Sequence, residues 1–263
     1  MANWLKFEEQ CTHYLNKKFG HKANFYHLGS SDSTLPDIRV ITKSGREFYL
    51  DAKLTPAQCG QFVLLPNIKS RSFVFSEKNK TPITPQVQAI IDHMNADFEA
   101  YKEAGTAGKE IDLEDGGKIF SQWIIGAHLQ KGSKFFITNG NTILPVSDFA
   151  KHFDVSATYR VKRSGSASVG KQKVPQVISF IKASRYPVSE YLTEGAALYV
   201  RSSASLHGKR FIFDGFEYMF SLRGDQYEVR KLSNTFNANV IFSITKKLYP
   251  GLTDAEFENY LDS

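Results

Sequence analysis

Apolar residues fall at helical spacing at Trp4, Phe7, Cys11, Tyr14, Leu15 and Phe19, and Gly20 follows as a stop. This predicts an amphipathic helix over 4–19. The period then changes to that of strands in 24–28, 37–42 and 47–52, separated by Gly29-Ser30-Ser31 and by Lys43-Ser44-Gly45. The short second turn predicts an antiparallel hairpin between the second and third strands. Beyond Pro66 the chain reads as irregular until Thr84-Pro85, an N-cap followed by a first-turn proline, which opens a helix to about residue 104. A Gly-rich acidic loop over 105–117 leads into a helix over 118–130 that stops at Gly132, a strand over 134–138 and a turn at Asn139-Gly140.

The second half reads differently. Strand-like runs occupy 158–162, 198–201, 210–213, 217–220 and 226–230, and Ser164 to Gly170 reads as a Gly/Ser-rich loop. Phe211, Phe213, Phe216, Tyr218 and Phe220 alternate across one predicted hairpin and are expected in its core. The fold class expected is α/β: a core of helix, three strands, helix and strand over 1–154, followed by a mainly β region over 155–263.

At 41% hydrophobic and 23% charged, the chain of 263 residues has the composition of an ordinary globular protein. Two cysteines, Cys11 and Cys59, are too few for a disulfide framework or a four-ligand zinc site and suit a reducing compartment. The opening residues have no basic segment followed by an apolar one, and no apolar run approaches the ~20 residues of a bilayer span, so a cytoplasmic protein with no membrane partner is expected. The net charge of +6 is unevenly spread. Residues 155–210 hold ten basic residues against Glu190 and Glu194, a net +8 interleaved with Tyr159, Tyr186, Tyr191 and Tyr199. Such a segment complements a phosphate backbone, and Arg160, Lys162, Arg163, Lys171 and Lys173 are its candidate contacts.

The residues that suggest chemistry lie in the hairpin. Asp37 follows Pro36, and fourteen positions later comes Asp51-Ala52-Lys53. Alternate side chains share a face of a strand, so Asp51 and Lys53 point one way and Asp37 can meet them across the pair. Two carboxylates at a strand end suit Mg²⁺, which takes one or two carboxylates together with waters and phosphate oxygens. A lysine beside them can orient a water or offset developing charge.

Pro36-Asp37 and Asp51-Ala52-Lys53, in a chain reading helix, three strands, helix, strand, resemble the PD-(D/E)XK nuclease superfamily over residues 4–145. The size and the basic β-rich second half look most like a type II restriction endonuclease. The resemblance implies hydrolysis of double-stranded DNA with Mg²⁺, for which Mn²⁺ can substitute, held by Asp37, Asp51 and the Ala52 carbonyl, with Lys53 acting on the water. Some members add a glutamate from the first helix. With 100° per residue and Trp4 at zero, Glu8 falls at about 40°, inside the apolar stripe, and Glu9 at about 140°, so Glu8 is the candidate. Gln58 and Gln61 resemble a glutamine found after the motif in some branches, and Lys69 and Arg71 are further candidate phosphate contacts. His27, His93, His128 and His207 show no metal spacing and read as packing or surface residues. Cutting both strands implies a homodimer matching a palindromic target. The alternatives are a structure-selective repair or recombination nuclease and a non-catalytic nucleic-acid-binding module.

Overall fold

The computed structural model describes residues 3–29, 35–163, 165–233 and 236–263. The chain forms two units, one of Met1–Val161 with Ala238–Ser263 and one of Lys162–Asn237. The division expected between 154 and 155 is therefore corrected: the end of the chain rejoins the first unit.

The first unit begins with helix α1 (Asn3–Phe19) and strands β1 (Ala23–His27), β2 (Ile38–Thr42) and β3 (Glu47–Lys53), as the change of period predicts. It continues through β4 (Ala57–Asn67), β5 (Ser72–Phe75), α2 (Pro85–Ala96), α3 (Phe98–Lys102), β6 (Lys109–Glu110), α4 (Gly116–Gln130), β7 (Ser133–Thr138), β8 (Thr142–Pro145), α5 (Phe149–His152) and β9 (Phe153–Arg163). Thr84 caps α2 by accepting from the Val87 N–H. The single helix expected to about 104 divides at Asp97, whose φ of −120° and ψ of 47° are non-helical. The segment read as irregular after Pro66 instead holds the end of β4 and all of β5, paired from Leu64–Phe75 to Asn67–Ser72.

One sheet runs β1-β2-β3-β7-β8. β2 and β3 form the expected antiparallel hairpin, and β3 pairs in parallel with β7, with α4 immediately preceding β7. Both faces are covered, as parallel pairing requires. On one face Ile38, Val40, Phe48, Leu50, Ala52, Phe135 and Ile137 pack with Cys11, Leu15 and Phe19 of α1. On the other, Phe136 joins a second core with Trp123 and Ile124 of α4 and Phe62 of β4. Alternation in β3 thus sends Leu50 and Ala52 to α1 and Asp51 and Lys53 to the α4 side.

The second unit holds β10 (Ser166–Ser168), α6 (Val174–Ala183), β11 (Val188–Glu194), β12 (Ala197–Ser202), β13 (Arg210–Phe213), β14 (Phe216–Arg223) and β15 (Gln226–Leu232). Its antiparallel sheet runs β11-β12-β15-β14-β13, with β10 added to β15. The Gly/Ser-rich stretch is therefore not all loop: Ser166, Ala167 and Ser168 pair with Leu232, Lys231 and Arg230. The unit is mainly β as expected, and it adds one helix, α6, whose Val174, Val177 and Ile181 bury one helical stripe. Phe211, Tyr218 and Phe220 are buried as expected and Phe213 packs against them half-buried, but Phe216, expected in the same core, is exposed.

β16 (Phe236–Lys246) and α7 (Asp254–Asp262) return to the first unit, where the sheet β5-β4-β16-β9-β6 places β16 between β4 and β9. Thr253 and Glu256 form a reciprocal capping box on α7. Among the described residues, no helix is long and apolar enough to cross a membrane.

Candidate active site

Asp37 enters β2 while Asp51 and Lys53 end β3, so the hairpin register brings the three together. The Ala52 N–H donates to Asp37 Oδ2 at 2.8 Å, a backbone clamp that fixes the first carboxylate against the second strand. Lys53 Nζ lies 3.6 Å from Asp37 Oδ2 and 3.9 Å from Asp51 Oδ1. One ammonium thus stands between two carboxylates. The Asp51 side chain is 2% exposed and that of Asp37 20%, so the pair has an inner and an outer member.

The sequence reading missed what lies behind Asp51. His128 of α4 faces it with Nδ1 2.9 Å from Asp51 Oδ2 and is buried, so of the two readings, packing or surface, packing holds, but neither included this charged partner. An ionised carboxylate only accepts, so the ring places its proton on Nδ1. On the far side of the ring, Nε2 lies 3.5 Å from Cys59 Sγ. The available signal was a histidine at the end of the apolar run Trp123-Ile124-Ile125-Gly126-Ala127, since a polar group buried in such a helix needs a partner.

Cys59 reaches the ring because β4 carries an extra residue there. Gln61 pairs with Ile241 and Gln58 with Ser243, so three steps along β4 oppose two along β16. Gly60 sits in this bulge at φ +118°, and a Cβ there would lie 2.7 Å from Trp123 Cζ3. Glycine is required on both counts. Gln58 and Gln61, on either side, are exposed.

Charge follows this geometry. Burial acts to raise the Asp51 carboxyl, but the His128 charge and hydrogen bond, with Lys53, hold it below the usual carboxylate range. Burial acts against the Lys53 ammonium, but Asp37 and Asp51 raise it above the usual lysine value. Burial also disfavours a charged His128 ring, and Asp51 outweighs it, pushing it up to about 9. Asp37 goes the other way: burial and the Asp51 charge raise it against the pull of Lys53.

Glu8 is buried on α1 and its Oε2 lies 3.0 Å from His27 Nε2, so His27 also has a charged partner that the sequence reading did not assign. Burial raises the Glu8 carboxyl, the His27 hydrogen bond opposes this, and the charges of Asp37 and Lys53 are also felt there. Among the described residues, no group of three or more His, Cys, Asp or Glu side chains converges as a metal cluster. The donor set is therefore two carboxylates and backbone, with hard oxygens suited to a cation that keeps several waters.

The candidate DNA contacts are dispersed. Lys69 and Arg71 lie at the exposed turn joining β4 and β5, where Asn67 Oδ1 accepts from the Lys69 and Ser70 N–H groups and Arg71 pairs with Glu99 at 2.9 Å. Arg160 on β9 is half-buried and Lys162 exposed; the Arg163 side chain lies outside the described residues. In the second unit Lys171 is exposed, while Lys173 pairs with Asp214 at 2.6 Å.

A mixed α/β chain of several sheets with this carboxylate–lysine cluster belongs to the restriction endonuclease family, as comparison with solved structures shows. No family model matches the chain, and no curated protein does. The chain is similar to the solved structure of HhaI endonuclease in complex with DNA, at 38% identity over 100% of both chains and a TM-score of 0.72.

Proposed function

We propose that the protein is a Mg²⁺-dependent, site-specific endonuclease of the PD-(D/E)XK type that hydrolyses phosphodiester bonds of double-stranded DNA. The observation that carries the reading is Lys53 within 4 Å of both Asp37 and Asp51 at the end of one hairpin. Asp37, Asp51 and the Ala52 carbonyl would hold Mg²⁺, which supplies charge neutralisation at the phosphate and a more acidic water when bound. Lys53 positions the attacking water and offsets charge that develops on the phosphate oxygens. Its ammonium stays charged between two carboxylates, which favours an orienting and electrostatic role over that of a free base. The full-length likeness to a DNA-bound HhaI endonuclease supports duplex DNA as substrate.

The test is incubation of the purified protein with phage DNA and Mg²⁺, followed by sequencing of the ends. Discrete fragments that EDTA suppresses support the reading. Cutting confined to junctions or flaps would establish the structure-selective alternative, and binding without nicking of supercoiled plasmid the non-catalytic one. Asp37→Ala, Asp51→Ala and Lys53→Ala should each abolish cutting and leave DNA binding largely intact. For cutting of both strands the proposal includes a two-fold homodimer on a palindromic site, which light scattering with and without a cognate duplex tests.

A further inference from the structure

We propose that His128 is a positioning residue for cation binding: through its Nδ1–H it fixes the rotation of the Asp51 carboxylate so that Oδ1 faces Lys53 and Asp37. The inference rests on the proposed metal-dependent reading of the site. Asp51 has two oxygens with separate tasks, Oδ2 2.9 Å from His128 and Oδ1 3.9 Å from Lys53. The two oxygens are chemically equivalent, so a half-turn restores the same contacts, but any intermediate rotation of the carboxylate plane would cost the buried charge its strong hydrogen bond. The ring itself has little freedom. It is buried on α4, stands edge-on to Phe136 with centroids 4.8 Å apart, and is met at Nε2 by Cys59 from the β4 bulge. Orientation thus passes from the packed core through a rigid ring to a carboxylate that ends the outer-facing cluster. This differs from the role of Lys53, which lies on the same strand as Asp51 and stands 3.9 Å from its other oxygen.

The test separates position from polarity. His128→Asn keeps a donor at the place of Nδ1, His128→Gln moves the donor to the place of Nε2, and His128→Leu removes it. Mn²⁺ titrated into the metal-free full chain by calorimetry gives a readout independent of cleavage, and Mg²⁺-dependent nicking of supercoiled plasmid gives a second. Removing an outer partner of a metal ligand costs about 10–100-fold in affinity or activity. The expected result is such a loss of Mn²⁺ affinity in H128L and H128Q, with H128N close to wild type and metal-free DNA binding equal in all. A folded H128L with wild-type Mn²⁺ affinity, or equal behaviour of H128N and H128Q, would overturn the proposal. Should the variants fail to fold, the wild-type His128 Nδ1–H signal in ¹⁵N-histidine NMR decides, since it must shift on saturation with Mg²⁺ and a signal that stays put refutes the link. Wild-type protein that never nicks with Mg²⁺ refutes the proposed function instead, whereas wild-type nicking with unaffected variants refutes only the role of His128.

Discussion

Asp51 Oδ2 and His128 Nδ1 meet at 2.9 Å in the interior of the first unit, so one carboxylate of the site is also a structural charge. Asp37, the outer one, has no such burden. Its nearest neighbours are an N–H, an ammonium and a like charge.

The two acids should therefore separate in stability. Asp51→Asn leaves a buried imidazolium without its counter-charge and is expected to cost ~3 kcal/mol. Asp37→Asn removes the burial penalty and the repulsion from Asp51 along with the attraction of Lys53, and is expected to cost less than Asp51→Asn. Urea unfolding of both variants checks this, and equal losses would refute the inner and outer assignment.

Gly60→Ala should be costly although it adds one methyl group. The new Cβ would lie 2.7 Å from the Trp123 ring at a φ of +118°, so backbone strain and overpacking add, for a loss of about 2 kcal/mol or more. Thermal melts would show it. Activity should fall with it, because the bulge also presents Cys59 to His128.

Cys11 should resist alkylation in the folded protein. It is fully buried, and burial, followed by the charges of Asp37 and Glu8, pushes its thiol up to about 12. A raised thiol pKa means the unreactive protonated form persists through pH 8–10 and the thiolate appears only beyond it. Iodoacetamide labelling at pH 8.5 with mass mapping should leave Cys11 unmodified in native protein and modified in urea.

Salt dependence of DNA binding should sort the basic side chains. Lys162→Ala and Lys171→Ala are each expected to lower the slope of log K against log salt by about 1. Lys173 already pairs with Asp214, so Lys173→Ala should change the slope less. Fluorescence anisotropy across a salt series measures all three, and an unchanged slope in the first two removes that segment from the phosphate contacts.

Local period made α1 and the hairpin of β2 and β3 legible, and the short apolar run of β7 marked a strand covered on both faces. With the hairpin came Asp37, Asp51 and Lys53, whose meeting needs only short-range register. His128 needed tertiary information: seventy-seven positions separate it from Asp51, and only the parallel pairing of β3 with β7 sets α4 behind that strand. Glu8 was placed in the apolar stripe correctly, but its partner His27 depended on how β1 packs on α1. The strand β5 was obscured by Lys69-Ser70-Arg71 at its turn, and α7 by its brevity, despite the Thr253 and Glu256 signal.

The chain leaves the first unit along β9 and comes back along β16, and these two strands are neighbours in one sheet. The second unit is thus an excursion from a pair of adjacent strands, and its two ends are tied to positions that the core already holds side by side. Exchange of that unit for another would leave the order of every strand in the core intact. Removal of the residues after Asn237 would not, since it withdraws a middle strand. A chain nicked within the excursion is expected to keep its two pieces associated, whereas one truncated after Asn237 loses the middle strand of that sheet.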